Sequence, residues 1–291
     1  GAGFIGSHIV DKLIELGHEV VVIDNLSADT HEQFYYNEQA TYHNLDIADY
    51  ESTRNLYQGV SVVFHCAAEA RIQPSLVNPI QVVKTNVLGT LNVLQAARTA
   101  GVKRVVYSST SSAYGRKHKV PYREDMVPDC LTPYSVSKVT GEEYCKLYTR
   151  LFGLSTVTLR YFNVYGKNQP LKGQYAPVVG LFMRQYDSNQ PMTIVGDGLQ
   201  RRDFTDVRDV VKANILASTC SDKNIVGSTI NVGTGKNHSV LELAKLIGND
   251  YVFIPERPGE AKETLASTEQ MERFFNWKPE LQLEDWIKKY A

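Results

Sequence analysis

Short β-branched runs alternate with longer stretches in which apolar residues recur every three or four positions through the first half of the chain. Residues 19–23, 60–65, 103–108 and 154–160 have the length and composition of strands. Between them, residues 5–17, 79–101 and 133–153 carry an apolar face at helical spacing, and each closes on a glycine of the kind that ends a helix in a left-handed turn. Strand and helix in alternation predict an α/β fold, a doubly wound parallel sheet of the Rossmann type.

After Asn163 the rhythm changes. Residues 168–175 read as a polar loop, residues 178–187 as a helix, and short strands and helices run on to Trp286. Residues 207–218 form a helical pattern suited to packing back on the sheet, ahead of a strand at 229–232. The expected organisation is a dinucleotide-binding unit over 1–164, with 207–233 returning to it, and a smaller α/β substrate-binding portion over 165–291. A glycine turn like the one at Gly1 follows a β-strand, so the chain reads as lacking a first, central strand.

Composition narrows the function classes. With 43% hydrophobic and 22% charged residues and a formal net charge of -1, the chain has no field to attract nucleic acid or an anionic membrane. It has no apolar run of about 18 residues and no signal peptide pattern, so no membrane partner is expected. Cys66, Cys130, Cys145 and Cys220 are scattered without a C-x-x-C pair, which fits a reducing, cytoplasmic setting. The seven histidines include no H-E-x-x-H pair; His65, inside an apolar run, reads as a buried strand residue, and no metal is expected.

The candidate chemistry begins at Gly1-Ala2-Gly3-Phe4-Ile5-Gly6, a G-x-G-x-x-G that opens a helix, with Asp24 at the end of the next strand. Glycines let the backbone approach a pyrophosphate, whose charge then rests on free N–H groups at the positive end of the helix. Asp24 suits the two hydroxyls of an adenosine ribose and repels a 2′-phosphate. The following Asn25, Leu26 and Ser27 add no arginine to offset that repulsion, so NAD is expected rather than NADP. Asp46, after the next strand-like run, suits the adenine amino group.

Tyr134-Ser135-Val136-Ser137-Lys138 sets a phenol and an ammonium four residues apart, on one face of a helix that Pro133 starts. It is the single Y-x-x-x-K among 17 tyrosines, and it follows a strand that ends in Ser108-Ser109-Thr110-Ser111-Ser112. A tyrosine titrates near about 10, so a phenolate base at neutral pH needs adjacent positive charge. Thr110 stands where it would hold a substrate hydroxyl within reach of that base.

The segments G-A-G-F-I-G, D-N-L-S, S-S-T-S-S-A-Y-G, P-Y-S-V-S-K, L-R-Y-F-N-V-Y-G, G-D-G-L-Q-R-R-D-F and R-P-G-E follow one another along nearly the whole chain. In this order they resemble the extended short-chain dehydrogenase/reductases, the NAD-dependent epimerase/dehydratase family that includes nucleotide-sugar 4-epimerases. The resemblance implies Tyr134 as base, Lys138 as its electrostatic partner and Thr110 as the bridge to substrate. It implies cofactor contacts from Gly1, Gly3, Phe4, Ile5, Gly6, Asp24, Asn25, Asp46, Ile47, Ala67, Ala68, Asn86, Ser108, Tyr134, Lys138 and Tyr161. Asn163, Arg202, Arg257 and Glu260 would grip the nucleotide diphosphate and ribose; family members more often carry aspartate where Glu260 stands. A homodimer, paired through the helices at 79–101 and 133–153, is implied as well.

Among the family's reactions, dehydratases place an Asp-Glu pair after the threonine and decarboxylases a nearby glutamate, whereas Ser111 and Ser112 stand here. That points to C4 epimerisation of a UDP-sugar through a 4-keto intermediate rather than to a lyase. A non-catalytic dinucleotide-sensing module is a second alternative, with no need of Tyr134, Lys138 and Thr110 together. Thr264 falls where epimerases restricted to UDP-glucose and UDP-galactose have a tyrosine, so room is expected for an N-acetylated sugar such as UDP-N-acetylglucosamine.

Overall fold

The four apolar runs of the first half form strands within two residues of their expected bounds, and each strand delivers its last residues to one end of the molecule. The structure is a computed structural model that describes residues 1–28, 33–172, 176–257, 259 and 261–290. Six parallel strands carry the first region: β1 (Val21–Asp24), β2 (Thr41–Asn44), β3 (Val62–His65), β4 (Arg104–Thr110), β5 (Ser155–Tyr161) and β6 (Thr229–Val232). Strands β3, β4, β5 and β6 lie side by side in that order, while β1 pairs with β2 in a separate sheet. The alternating pattern predicts one sheet. Two are observed because β1 and β3 share no hydrogen bonds; residues 1–3 lie against β1, where a Cβ on Gly1 would come within 2.5 Å of Val22.

Strand β4 shows why the helices sit where they do. Its side chains alternate between faces: Val105 and Tyr107 join a core with Val93, Leu94 and Ala97 of α2 (Gly89–Ala100) and Cys145 and Tyr148 of α3 (Pro133–Phe152). Val106 joins Val157, Leu159, Ile230 and Val232 beneath Val210 and Ala213 of α5 (Val207–Thr219) on the other. Helix α1 (Phe4–Glu15) packs beside α5 on that second face. Helix α3 begins at a capping box in which Thr132 and Ser135 satisfy each other's amides, with Pro133 at its first position, and it ends on Gly153 at φ 71°. The expected helix at 79–101 is continuous, but its middle, Val83–Leu88, is wound as a π-helical stretch before α2.

The second region has its own core. Helices α4 (Val178–Asp187), α6 (Val240–Ile247) and α8 (Leu283–Tyr290) enclose Phe182, Met192, Ile194, Leu243 and Ile287. Met192–Val195 and Tyr251–Ile254 form a parallel pair there, and α7 (Glu269–Phe275) sends Met271 back to the core under β6. Among the described residues no helix is long and apolar enough to cross a membrane.

Candidate active site

One cleft of about 830 Å³ opens along the carboxyl ends of β1, β3, β4 and β5, where an open α/β sheet places its ligands. It brings together Gly1, Gly3, Phe4, Ile5, Gly6, Asp24, Asn25, Asp46, Ile47, Ala67, Ala68, Ser108, Thr110, Tyr134, Lys138, Tyr161, Asn163, Arg202, Arg257 and Thr264. Asn86 is not in its wall. Its side chain is buried one layer back, bonded to both the N–H and C=O of Glu69 and to Ser137 Oγ, and so holds the loop after β3 against α3. Glu260 lies outside the described residues.

At one end of the cleft, α1 starts on Gly3 with no capping side chain among the described residues, which leaves the first amides of the helix turned to the cleft wall. The turn is tight: a Cβ on Gly6 would lie 2.8 Å from the Gly1 Cα. Asp24 accepts hydrogen bonds from the backbone nitrogens of Gly1, Ala2 at 2.9 Å and Leu26 at 2.9 Å. Asp46 receives the Ala48 amide at 2.9 Å, and Lys84 lies 3.7 Å from its other oxygen.

In the middle of the cleft, Thr110 ends β4, and its hydroxyl accepts the Ser112 amide at 3.1 Å, which turns the chain into a tight 3₁₀ segment. Tyr134 and Lys138 sit one turn apart at the start of α3. Burial raises the Tyr134 phenol, and hydrogen bonding with Thr110 works against that rise. The Lys138 ammonium lies 4.3 Å from the centre of the Tyr107 ring, and burial lowers it to about 8 while Cys66, Cys145 and Glu142 act to raise it. The cation-π contact favours the charged form of the lysine. Gly141 makes this packing possible, since a Cβ there would meet the Tyr107 hydroxyl. Tyr161 is fixed by Ser108 Oγ at 2.9 Å and by Asn214.

The far wall is assembled from distant segments. Asn163 Nδ2 donates to Thr264 Oγ1 at 3.2 Å and to the Asp203 carbonyl at 3.3 Å, and the Asp203 amide also reaches Thr264 Oγ1 at 3.3 Å. The Asp203 carboxylate is fully buried and accepts from Thr234 N and Oγ1, Gly235 N and Ala266 N at 2.7–3.1 Å. It thereby ties together the strand Arg201–Arg202, the turn after β6 and the segment carrying Thr264.

Comparison with known proteins gives the same reading. The profile of the NAD dependent epimerase/dehydratase family matches residues 1–233. The chain belongs to that family. It is 40% identical to a putative UDP-glucose 4-epimerase of Methanocaldococcus jannaschii over 99% of this chain and 94% of the relative. The UDP-glucose 4-epimerase of Thermotoga maritima, solved with UDP-glucose, superposes with a TM-score of 0.93 at 36% identity, covering 99% of this chain and 94% of the other. The UDP-N-acetylglucosamine 4-epimerase of Methanobrevibacter ruminantium, in complex with UDP-N-acetylmuramic acid, does so at 0.92 and 32% identity, again over 99% and 94%.

The family's NAD fits the residues present: an uncapped helix start behind a glycine turn too close for side chains, and a half-buried carboxylate at the end of the neighbouring strand. His65 is buried at the end of β3 with one ring nitrogen 2.9 Å from Thr90 Oγ1, and burial depresses it to about 3. Among the described residues no three His, Cys, Asp or Glu side chains are grouped to hold a metal. Sequence reasoning passed over Asp203, Glu142 and Arg160. The available signals were the charged run Arg201-Arg202-Asp203 before Phe204 and the placement of Glu142 one turn after Lys138.

Proposed function

We propose that this family member is a UDP-sugar 4-epimerase acting through Thr110, Tyr134 and Lys138. The observation that carries the reading is the convergence of these three side chains, mid-cleft, between the glycine turn and the wall bearing Asn163, Arg202 and Thr264. Tyr134 takes the proton of the sugar's C4 hydroxyl, Thr110 orients that hydroxyl, and the Lys138 ammonium stabilises the phenolate. The glycine turn and Asp24 would hold NAD, which would supply a reversible hydride acceptor for C4. Arg202 and Arg257 hold the diphosphate by charge and forked donors, so the 4-keto sugar can turn over without leaving. With its other face presented to the cofactor site, the 4-keto sugar regains its proton from Tyr134. Ser111 and Ser112 beside Thr110 offer no carboxyl for elimination, which favours epimerisation over a lyase reaction.

Both UDP-glucose/UDP-galactose and their N-acetylated counterparts are substrates in this proposal, because Thr264 stands in the wall with a small side chain. The test is incubation of the protein and NAD with a panel of UDP-sugars, followed by separation of C4 epimers. Interconversion at unchanged mass is expected; a product of lower mass would replace the reading with a lyase.

A homodimer belongs to the same proposal. Leu76 and Val77 at the end of one short helix, and Ile80 and Val83 in the next, are 41–86% exposed, and Val136 on α3 is half exposed. Exposed apolar side chains close together in sequence are suited to self-association about a two-fold axis. Sedimentation should give twice the chain mass, and Ile80→Glu should halve it. A cytoplasmic location is proposed on the four cysteines, all present as free thiols.

A further inference from the structure

Beneath the catalytic cluster lies a charged group that the reaction as described does not use. Glu142 follows Lys138 by four residues, as Lys138 follows Tyr134, so all three fall on the face of α3 turned to the sheet. Its carboxylate is fully buried. Arg160 of β5 grips it with two donors, Nη2 to Oε2 at 2.6 Å and Nε to Oε1 at 2.9 Å, and Ser109 of β4 donates to Oε1 at 2.5 Å. Arg160 is itself 2% exposed, with its guanidinium 4.7 Å from the centre of the Tyr114 ring, in the turn that follows Thr110. Burial acts to lower Arg160, but Glu142 outweighs it and holds the group charged.

A bidentate pair fixes both the rotation and the height of one element on another, which an apolar contact does not. Here the pair joins the helix of the base to the strand beside Thr110, and Ser109 is the residue immediately before Thr110. A buried ion pair is weak evidence of stabilisation, since well-packed apolar residues often replace one without loss. Its place against the helix of the proposed base calls for another reason.

We infer that Glu142 and Arg160, with Ser109, are positioning residues that set the Tyr134 hydroxyl against Thr110 for proton transfer from the substrate. The inference rests on the proposed roles of Tyr134 and Thr110. The clamp touches neither substrate nor cofactor; it acts on the transition state through the separation of two side chains on different elements. Small errors in such a separation lower turnover without weakening binding.

The test uses the full chain with NAD and UDP-galactose. Single variants Glu142→Leu and Arg160→Met leave one charge buried alone and are expected to lower Tm. The double variant E142L/R160M removes both charges; it should recover Tm while kcat stays down by about tenfold or more and KM changes by less than about twofold. Ser109→Ala leaves the ion pair in place and should lower kcat at unchanged KM and Tm. A folded double variant with the wild-type kcat would overturn the inference; if the double variant does not fold, a wild-type kcat in Ser109→Ala does the same. Tyr134→Phe run in parallel separates the two failures: wild-type turnover there removes the base itself, whereas an inactive Tyr134→Phe beside a fully active double variant removes only the clamp.

Discussion

The two walls of the cleft are built in different ways. Thr110, Tyr134 and Lys138 stand at the ends of a seven-residue strand and a 20-residue helix, both satisfied by their own hydrogen bonds and buried among neighbours from several elements. The opposite wall has little regular structure: a two-residue strand at Arg201–Arg202, Asn163 at a positive φ of 24°, and the loop carrying Arg257 and Thr264. Its order comes from long-range polar contacts: the Asp203 carboxylate gathers amides from Thr234, Gly235 and Ala266, Arg201 exchanges backbone hydrogen bonds with Lys262 and Thr264, and Asn237 donates to Glu263. Under the proposed function, reaction geometry is spread over a packed scaffold, whereas the substrate-facing wall is held by long-range polar contacts in which Asp203 takes a central part. A family can vary the second without disturbing the first.

The largest effect expected on the first wall is Tyr134→Phe, which should lower kcat by about 10²–10⁴, the usual worth of a general acid–base group. Equilibrium binding of UDP should stay within about twofold, because the hydroxyl acts in the transition state. Turnover near wild type would break the comparison at its root. On the second wall, Asp203→Asn turns an amide NH₂ toward donors that need an acceptor. KM for the UDP-sugar should rise by about tenfold, as expected for roughly 1–3 kcal/mol of lost hydrogen bonding, while NAD affinity holds. Titration of both ligands by calorimetry checks this; equal losses for NAD and UDP-sugar would mean that Asp203 supports the whole fold.

This difference also explains what the sequence discloses. Glycine turn, Asp24 and the Tyr134–Lys138 pair are each defined by local spacing within or between consecutive elements, and periodicity places them without knowledge of the tertiary structure. Asp203 binds residues 31 to 63 positions away, so no local pattern marks it as a hub rather than a surface charge. Asn86, for which the family resemblance implies a cofactor contact, shows a further role that local spacing does not mark: its three hydrogen bonds to protein atoms support the loop after β3. The division of the parallel strands into two sheets was likewise not legible, because pairing partners depend on contacts across the molecule.

Lys138 gives a smaller effect that still belongs to the packed wall. Burial brings it from the ordinary lysine value of 10.5 to about 8, so the ammonium is present below that pH and lost above it. If the ammonium supports the phenolate, kcat/KM should fall as pH rises through about 8. Stability should move the other way. Between about 8 and 10.5 the unfolded lysine still holds a proton that the folded one has released, so this group's contribution to folding improves with rising pH. Opposite slopes in activity and in the wild-type minus Lys138→Met difference in Tm are expected over that range. An activity limb that begins only above pH 10 would remove the depressed lysine from the reaction.

The smallest predicted change in UDP-galactose turnover falls on the adjustable wall, at Thr264. Its hydroxyl accepts from Asn163 and from the Asp203 amide, so the side chain is held against the wall while it lines the cleft. Under the proposed reading, a phenol ring at this position would intrude on the sugar's C2 substituent, a discrimination by clash rather than by attraction. Thr264→Tyr should abolish turnover of UDP-N-acetylglucosamine and leave UDP-galactose turnover within about fivefold, with the loss coming from the missing acceptor. Thr264→Val separates the two causes, since it removes the hydroxyl at nearly constant volume. It should lower both activities equally and leave their ratio unchanged. A Thr264→Tyr protein that still converts the N-acetylated sugar would show that the C2 substituent lies elsewhere in the cleft, and a wild-type protein inactive on it would restrict the substrate to the non-acetylated pair.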